Sequence, residues 1–342
     1  MSGFKGVGGW VRSSVKRICV AAAVLAGVLA SPVAEAQPLK IGYSDWPGWV
    51  AWEVAIQKGF FKEAGVDVEF TWFEYGPSME AFSAGKIDAV TITNGDALVT
   101  GGGGKPSTVV VLTDYSNGND MLVGQPGVNS IKDLKGKSIG LEVNFVEHLL
   151  LLKALEANGM TEADVKIVNF PTNETPQALA SKGVDAIGAW YPVAGQALTQ
   201  VPGSKPLFTS ADAPGLIYDG LYVSRDSLAS RRADWKKVVG VWDKTVKFIA
   251  SPATRDEAIK IMAARVNVPP EQYAKSMSGT FLLDLAGNLK HMKEGDGLDS
   301  LHGSNKIVNA FNVKNKVYAE SQDTKAYVDD SLVKEAVTEM KK

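Results

Sequence analysis

Carboxylates and aromatic rings alternate after the apolar runs of this chain, at Asp45-Trp46-Pro47-Gly48-Trp49, Glu74-Tyr75, Asp96, Asp114-Tyr115, Glu142 and Trp190. A ring offers the negative face of its quadrupole to a cation at about 0.5 to 2 kcal/mol. Carboxylates accept forked N–H donors in their own plane. Together they suit a small delocalised cation such as guanidinium, which is flat, edged with donors and without an apolar tail.

Each residue also has a purely structural reading. Trp46 and Trp49 flank a Pro-Gly turn, where exposed rings would be costly, and a pocket role is the better account of them. Trp190 either lines a cleft or packs in the core. Asp96 is a ligand or a helix cap, and Glu142 a ligand or a solvated strand end. Asn144 is a candidate ligand and, with Glu147 three residues on, forms a capping box in which Glu147 acts as a cap.

No catalytic constellation competes with the binding reading. His148, His291 and His302 are far apart and lack metal-ligand spacing. Gly101 to Gly104 lacks the lysine and hydroxyl of a phosphate loop and reads as a mobile turn. The expectation is a binding protein rather than an enzyme, with no catalytic residues, no cofactor and no metal.

The elements that must position these residues follow from periodicity. Short apolar runs at 39–43, 66–73, 89–92, 108–112, 138–141, 165–170 and 186–189 read as strands, alternating with helices such as Trp52–Lys58, Met79–Ala84 and Val146–Ala157. That alternation predicts an α/β chain with mostly parallel sheets, in which ligands sit beyond the carboxyl ends of strands. Gly59 and Gly65 read as turn residues around Phe60 and Phe61. After Ser224 the chain turns helical, and Trp235, Val238, Val239, Trp242, Val246 and Ile249 form a core-facing stripe.

The N-terminal 36 residues read as a cleavable export signal, with Lys5, Arg12, Lys16 and Arg17 before an apolar run and Ala34-Glu35-Ala36 at its end. Cleavage there would leave 306 of 342 residues, 32 basic and 37 acidic, and remove Cys19, the single cysteine. Thiol chemistry and disulfides are then excluded. A mildly acidic chain of this kind is unsuited to nucleic acid.

Ile41-Gly42-Tyr43, Gly59-Phe60-Phe61-Lys62-Glu63-Ala64-Gly65-Val66, Ala84-Gly85-Lys86-Ile87-Asp88-Ala89, Asn94-Gly95-Asp96, Ile131-Lys132-Asp133-Leu134-Lys135-Gly136-Lys137 and Gly183-Val184-Asp185-Ala186 occur in this order. The set resembles the periplasmic solute-binding proteins of nitrate, sulfonate, taurine and thiamine-precursor ABC importers, over Pro38 to Ser251. The resemblance implies a type II periplasmic-binding-protein fold, two-lobed, with a ligand cleft between α/β lobes. It puts crossovers near Asn117–Leu122 and Tyr218–Ser224, and so a first lobe from 37–121, a second from 122–219 and a return over 220–342 after a signal peptide at 1–36. It also implies a periplasmic monomer whose partners are a small-molecule ligand and the permease and ATPase of an ABC importer, with no nucleic acid.

Oxyanion binders of this group resemble one another in small hydroxyl residues at the helix opening the second lobe, whereas this chain has Glu142-Val143-Asn144-Phe145-Val146-Glu147-His148 there. Asp45 to Trp49, Trp72 to Ser78, Thr93 to Leu98 and Gly297-Leu298-Asp299-Ser300-Leu301 are similar to the urea-carboxylase-related branch, which implies a guanidine- or urea-type ligand. The expected site residues are Asp45, Trp46, Trp49, Glu74, Tyr75, Asp96, Asp114, Glu142, Asn144 and Trp190, with guanidinium as the ligand. A sulfonate such as taurine, nitrate or a thiamine precursor is the alternative.

Overall fold

A computed structural model describes residues 37–340, so the segment read as an export signal lies outside the described residues. The strands are β1 (Leu39–Tyr43), β2 (Val68–Trp72), β3 (Ala89–Thr93), β4 (Ser107–Ser116), β5 (Asp120–Gly124), β6 (Ser138–Leu141), β7 (Lys166–Asn169), β8 (Ala186–Trp190), β9 (Lys205–Thr209), β10 (Tyr218–Ser224) and β11 (Thr280–Leu282). They form two sheets, ordered β11-β4-β10-β3-β1-β2 and β7-β6-β8-β5-β9. The central strands β3 and β8 are buried throughout, as strands covered on both faces must be.

Both sheets are mixed rather than mostly parallel. β1 pairs in parallel with β2 and β3, and β6 with β7 and β8, while β4, β5, β9, β10 and β11 pair antiparallel. The cause is the pair of crossings. The chain leaves the first sheet between Ser116 and Asp120 and returns between Thr209 and Tyr218, so each crossing strand enters its new sheet against the local direction. Tyr218–Ser224 itself lies wholly in the first sheet. β9 carries Pro206 and sits at a sheet edge, the one place where a strand tolerates a missing N–H.

The helix Arg232–Ala250 buries its apolar stripe, and Trp242 meets Trp52 with ring centroids 4.6 Å apart. Each such ring removes about 150–250 Å² from water, roughly 4 to 6 kcal/mol at 25 cal per Å². Gly59 turns with φ +71° and Gly65 with φ +65°. The glycines at 101 and 102 are not a loose turn, because they close the helix Asn94–Gly102. A Cβ on Gly101 would lie 1.6 Å from the Tyr327 hydroxyl, so glycine is required there by close packing.

Candidate functional site

The strand ends of both sheets open onto a cavity of about 230 Å³ lined by Asp45, Glu74, Tyr75, Glu142, Thr172 and Trp190 among others. Asp45 follows β1, Glu74 follows β2 and Glu142 follows β6, so their carboxyl groups converge from different sheets. The Trp190 indole N–H donates to Asp45 Oδ1 at 2.9 Å, bonding the last residue of β8 to the loop after β1. Thr172 Oγ1 donates to Glu142 Oε2 at 2.9 Å. Burial pushes Asp45 up to about 6 and Glu142 up to about 7, and the Glu74 charge adds to both shifts.

Behind this cavity lies a second, deeper set of carboxyl groups. Asp114 on β4 and Asp219 on β10 are direct cross-strand partners. Trp46 Nε1 donates to Asp114 Oδ1 at 2.9 Å and Thr113 Oγ1 to its Oδ2 at 2.9 Å. Gly48 is what lets the tryptophan turn sit on this aspartate, since a Cβ there would lie 1.7 Å from Asp114 Oδ2. Asp120 opens β5 and lies against Glu147 in the first turn of the helix Val146–Ala157. Asp96 Oδ2 accepts the Tyr75 hydroxyl at 2.5 Å and the Val146 N–H at 3.3 Å, a second bond between elements of the two sheets.

Glu147, Asp219 and Asp120 are 0%, 1% and 3% exposed, and both oxygens of Glu147 and one of each aspartate have no hydrogen-bond partner. Burial is the largest cause of the shift in every case. It lifts Asp120 to about 6, Asp96 and Asp114 to about 7, and Glu147 and Asp219 well above the carboxylate range. The charged neighbours raising Glu147 and Asp219 are other carboxylates. A buried ion without a counter-ion is costly, so this arrangement is suited to receive positive charge.

Aromatic rings wall the carboxyl groups. Trp49 stacks on Tyr75 at 5.2 Å and 21°, and Tyr75 meets Trp190 edge-on at 5.2 Å and 77°. The Trp49 indole N–H has no partner. Asn94 Oδ1 accepts the backbone N–H of Tyr218 at 3.0 Å and Leu298 O accepts its hydroxyl at 2.9 Å, which fastens the start of β10 beside Asp219.

Of the expected site residues, Asp45, Glu74, Tyr75, Glu142 and Trp190 line the cavity, whereas Trp46 and Trp49, expected in a pocket, pack in the core with Asp96 and Asp114 buried beside them, and Asn144 lies outside the lining. Asn144 is exposed, has φ +73°, and its backbone N–H donates to His148 Nδ1 at 3.1 Å. The capping box expected with Glu147 does not form. Phe145 occupies the N-cap, and Glu147 points into the buried cluster instead. Tyr75 is helical rather than in a loop, since its helix runs Tyr75–Ser83 with Pro77 in the first turn, where a missing N–H costs nothing. Asp96 is not the cap of its own helix, where Thr93 accepts the Asp96 N–H at 3.0 Å.

Sequence reasoning passed over Asp120, Glu147 as a site residue, Thr172 and Asp219. A usable signal existed for Asp219, an acid inside the apolar run 216–223, because charges are rarely buried without a purpose. A larger groove of about 950 Å³ borders β2, where Glu53 is held by the Tyr43 hydroxyl and by Arg265 Nε at 2.9 Å. Among the described residues no group of three or more His, Cys, Asp or Glu has metal-site geometry.

Residues 47–253 match the family model described as NMT1/THI5 like. A binding protein of Brucella abortus is 29% identical over 235 residues, 68% of this chain and 72% of that one. The alkanesulfonate-binding protein of Xanthomonas axonopodis pv. citri, solved with MOPS bound, superposes with a TM-score of 0.71 at 18% identity, over 87% of this chain and 100% of that one. The periplasmic nitrate-binding protein of Synechocystis PCC 6803 gives 0.72 at 14% identity, over 90% and 89%. The periplasmic-binding-protein fold is therefore shared, and fold alone does not name a ligand.

Proposed function

This chain belongs to the NMT1/THI5-like family, and from that premise we propose that it is the periplasmic solute-binding component of an ABC importer, which captures a small nitrogen-rich cation, guanidinium, and delivers it to a membrane permease. In this reading residues 37–121 with 220–342 form one lobe and 122–219 the other, and segment 1–36 directs export. The protein binds its ligand and does not transform it.

One observation carries the cation reading: among the described residues no side-chain or backbone N–H or O–H answers the buried Oδ2 of Asp120, both oxygens of Glu147 or Oδ2 of Asp219, which lie near an acidic cavity lined by Tyr75 and Trp190. Guanidinium supplies N–H donors around a flat edge, and each charge-assisted bond to a carboxylate contributes about 1.5 to 3 kcal/mol. Asp45, Glu74 and Glu142 form the entrance. Tyr75 and Trp190 form the walls, with Trp49 stacked behind Tyr75, Asp96 bonded to the Tyr75 hydroxyl and Trp46 bonded to Asp114. Sulfonate, taurine, nitrate and thiamine-precursor ligands are the alternative drawn from relatives, but an anion would meet like charge on every side. Urea fits the size and offers no charge to answer the carboxylates.

Calorimetry of the purified protein with guanidinium, urea, taurine and nitrate tests this. Tight guanidinium binding with the others weak supports the proposal. Tight taurine or nitrate binding with guanidinium silent overturns it.

A further inference from the structure

Two pairs of acids in this molecule are neighbours: Asp114 on β4 and Asp219 on β10 are direct cross-strand partners, and Asp120 at the start of β5 adjoins Glu147 in the first turn of the helix Val146–Ala157. Two ionised carboxylates have only acceptors to offer one another, so a contact of this kind is held by a shared proton. Glu147 and Asp219 are effectively sealed from water, and their unpartnered oxygens leave no other donor for the task.

Among the described residues, the groups that bear on the pairs are acidic or neutral. From the helix Asn94–Gly102 comes Asp96, and from the loop after β6 comes Glu142, both acidic. From β10 comes Tyr222 and from the helix Tyr75–Ser83 comes Tyr75, both phenols that stay neutral. Tyr273 also feels Asp114. Trp46 donates to Asp114 and Ser116 Oγ accepts the Asp120 backbone N–H at 3.4 Å, and neither is charged. His148 adjoins Glu147 in sequence, yet its Nε2 lies 3.8 Å from Glu162 and its Nδ1 accepts from the Asn144 backbone.

We propose that the ligand and a proton exchange at this site: without ligand the protein holds protons shared within the Asp120–Glu147 and Asp114–Asp219 pairs, and an entering cation displaces one of them to solvent. This rests on the cation reading of the same cleft. Charge balances when one cation replaces one proton, which passes to the buffer. The consequence is a binding protein that loads well at neutral pH and unloads as the surroundings acidify.

The test is calorimetric titration of guanidinium chloride into the purified protein at about pH 6, 7 and 8, in buffers of small and large ionisation enthalpy. The observed heat should vary with buffer by an amount equal to about one proton released, and affinity should rise roughly ten-fold per pH unit. Infrared spectra of the ligand-free protein should contain the carbonyl band of a protonated carboxylic acid, weakened on adding guanidinium and in Glu147→Gln and Asp219→Asn. Binding with no buffer dependence, or no acid band, overturns the exchange while leaving the cation reading intact. Failure of guanidinium to bind at every pH overturns both.

Discussion

Asp114 and Asp219 face each other directly across the antiparallel strands β4 and β10, with Asp219 also opposite Thr93 of β3. Like charges directly opposite on a sheet are destabilising, and here the pair is fully buried. The sheet tolerates it only with a proton or a cation between the two groups. That relationship places a cost in the fold that binding can relieve.

Asp219→Asn keeps the shape of the side chain and adds an N–H donor for Asp114. We expect the ligand-free variant to melt at least about 2 °C higher than the parent at pH 8, and guanidinium affinity to fall about ten-fold or more. Melting curves and calorimetry check the two halves separately. A variant that melts lower and binds normally would assign this pair to the scaffold.

The stability of the empty protein should fall as pH rises from about 5 to 8. Carboxyl groups near 4 in the unfolded chain stand at about 6 to 7 for Asp45, Asp96, Asp114, Asp120 and Glu142, and higher for Glu147 and Asp219. The folded state therefore binds more protons across this window, and stability is lost as they leave. His148, His291 and His302, all lowered mainly by burial, work in the opposite direction but are fewer. A net loss of at least about 2 kcal/mol is expected. Melting temperatures at matched ionic strength decide it, and a higher value at pH 8 would count against the buried pairs.

Trp190→Phe keeps a ring against Tyr75 and deletes the N–H that bonds Asp45 between the two sheets. Guanidinium affinity should drop by about ten-fold, with the ligand-free melting point nearly unchanged because one wall of Asp45 borders the cavity. Trp49→Ala should behave differently. Its ring is 2% exposed and stacked on Tyr75, so truncation should cost about 3 to 5 kcal/mol of stability as well as binding.

Glu74 is exposed at the cavity entrance, whereas Glu147 is sealed inside. Glu74→Gln should slow association and flatten its salt dependence, and Glu147→Gln should speed dissociation. Stopped-flow measurement of both rates distinguishes them. Equal effects on both rates from both variants would argue against an entrance and an inner seat.

Asn144→Gly removes a side chain that makes no hydrogen bond and relieves a left-handed backbone, φ +73°. Guanidinium affinity should be unchanged within two-fold, and stability should hold or rise by about 0.4 to 1 kcal/mol. A loss of binding would return Asn144 to the site.

Much of this arrangement was legible in the residues alone. Leu39–Tyr43, Ser138–Leu141 and the helix Val146–Ala157 have the bounds their periodicity predicts, because the period of apolar residues is a local property. The acids and rings of the outer cavity were legible for a related reason. Asp45, Glu74 and Glu142 follow strands, and strand ends in open α/β sheets face the cleft. Pro206 hid β9, since a proline argues against a strand until its edge position is known. The inner pairs could not be read this way. Asp114 and Asp219 are distant in the chain, and Asp120 meets Glu147 only because β5 crosses to the second sheet beside the helix after β6. Glu147 has the spacing of a cap, but the left-handed turn at Asn144 moves the N-cap to Phe145 and aims the acid inward. Residue type and local period determined which groups can hold a cation; which of them share a proton was decided by strand order and register, since only these bring two like charges within reach of each other in a place that water cannot enter.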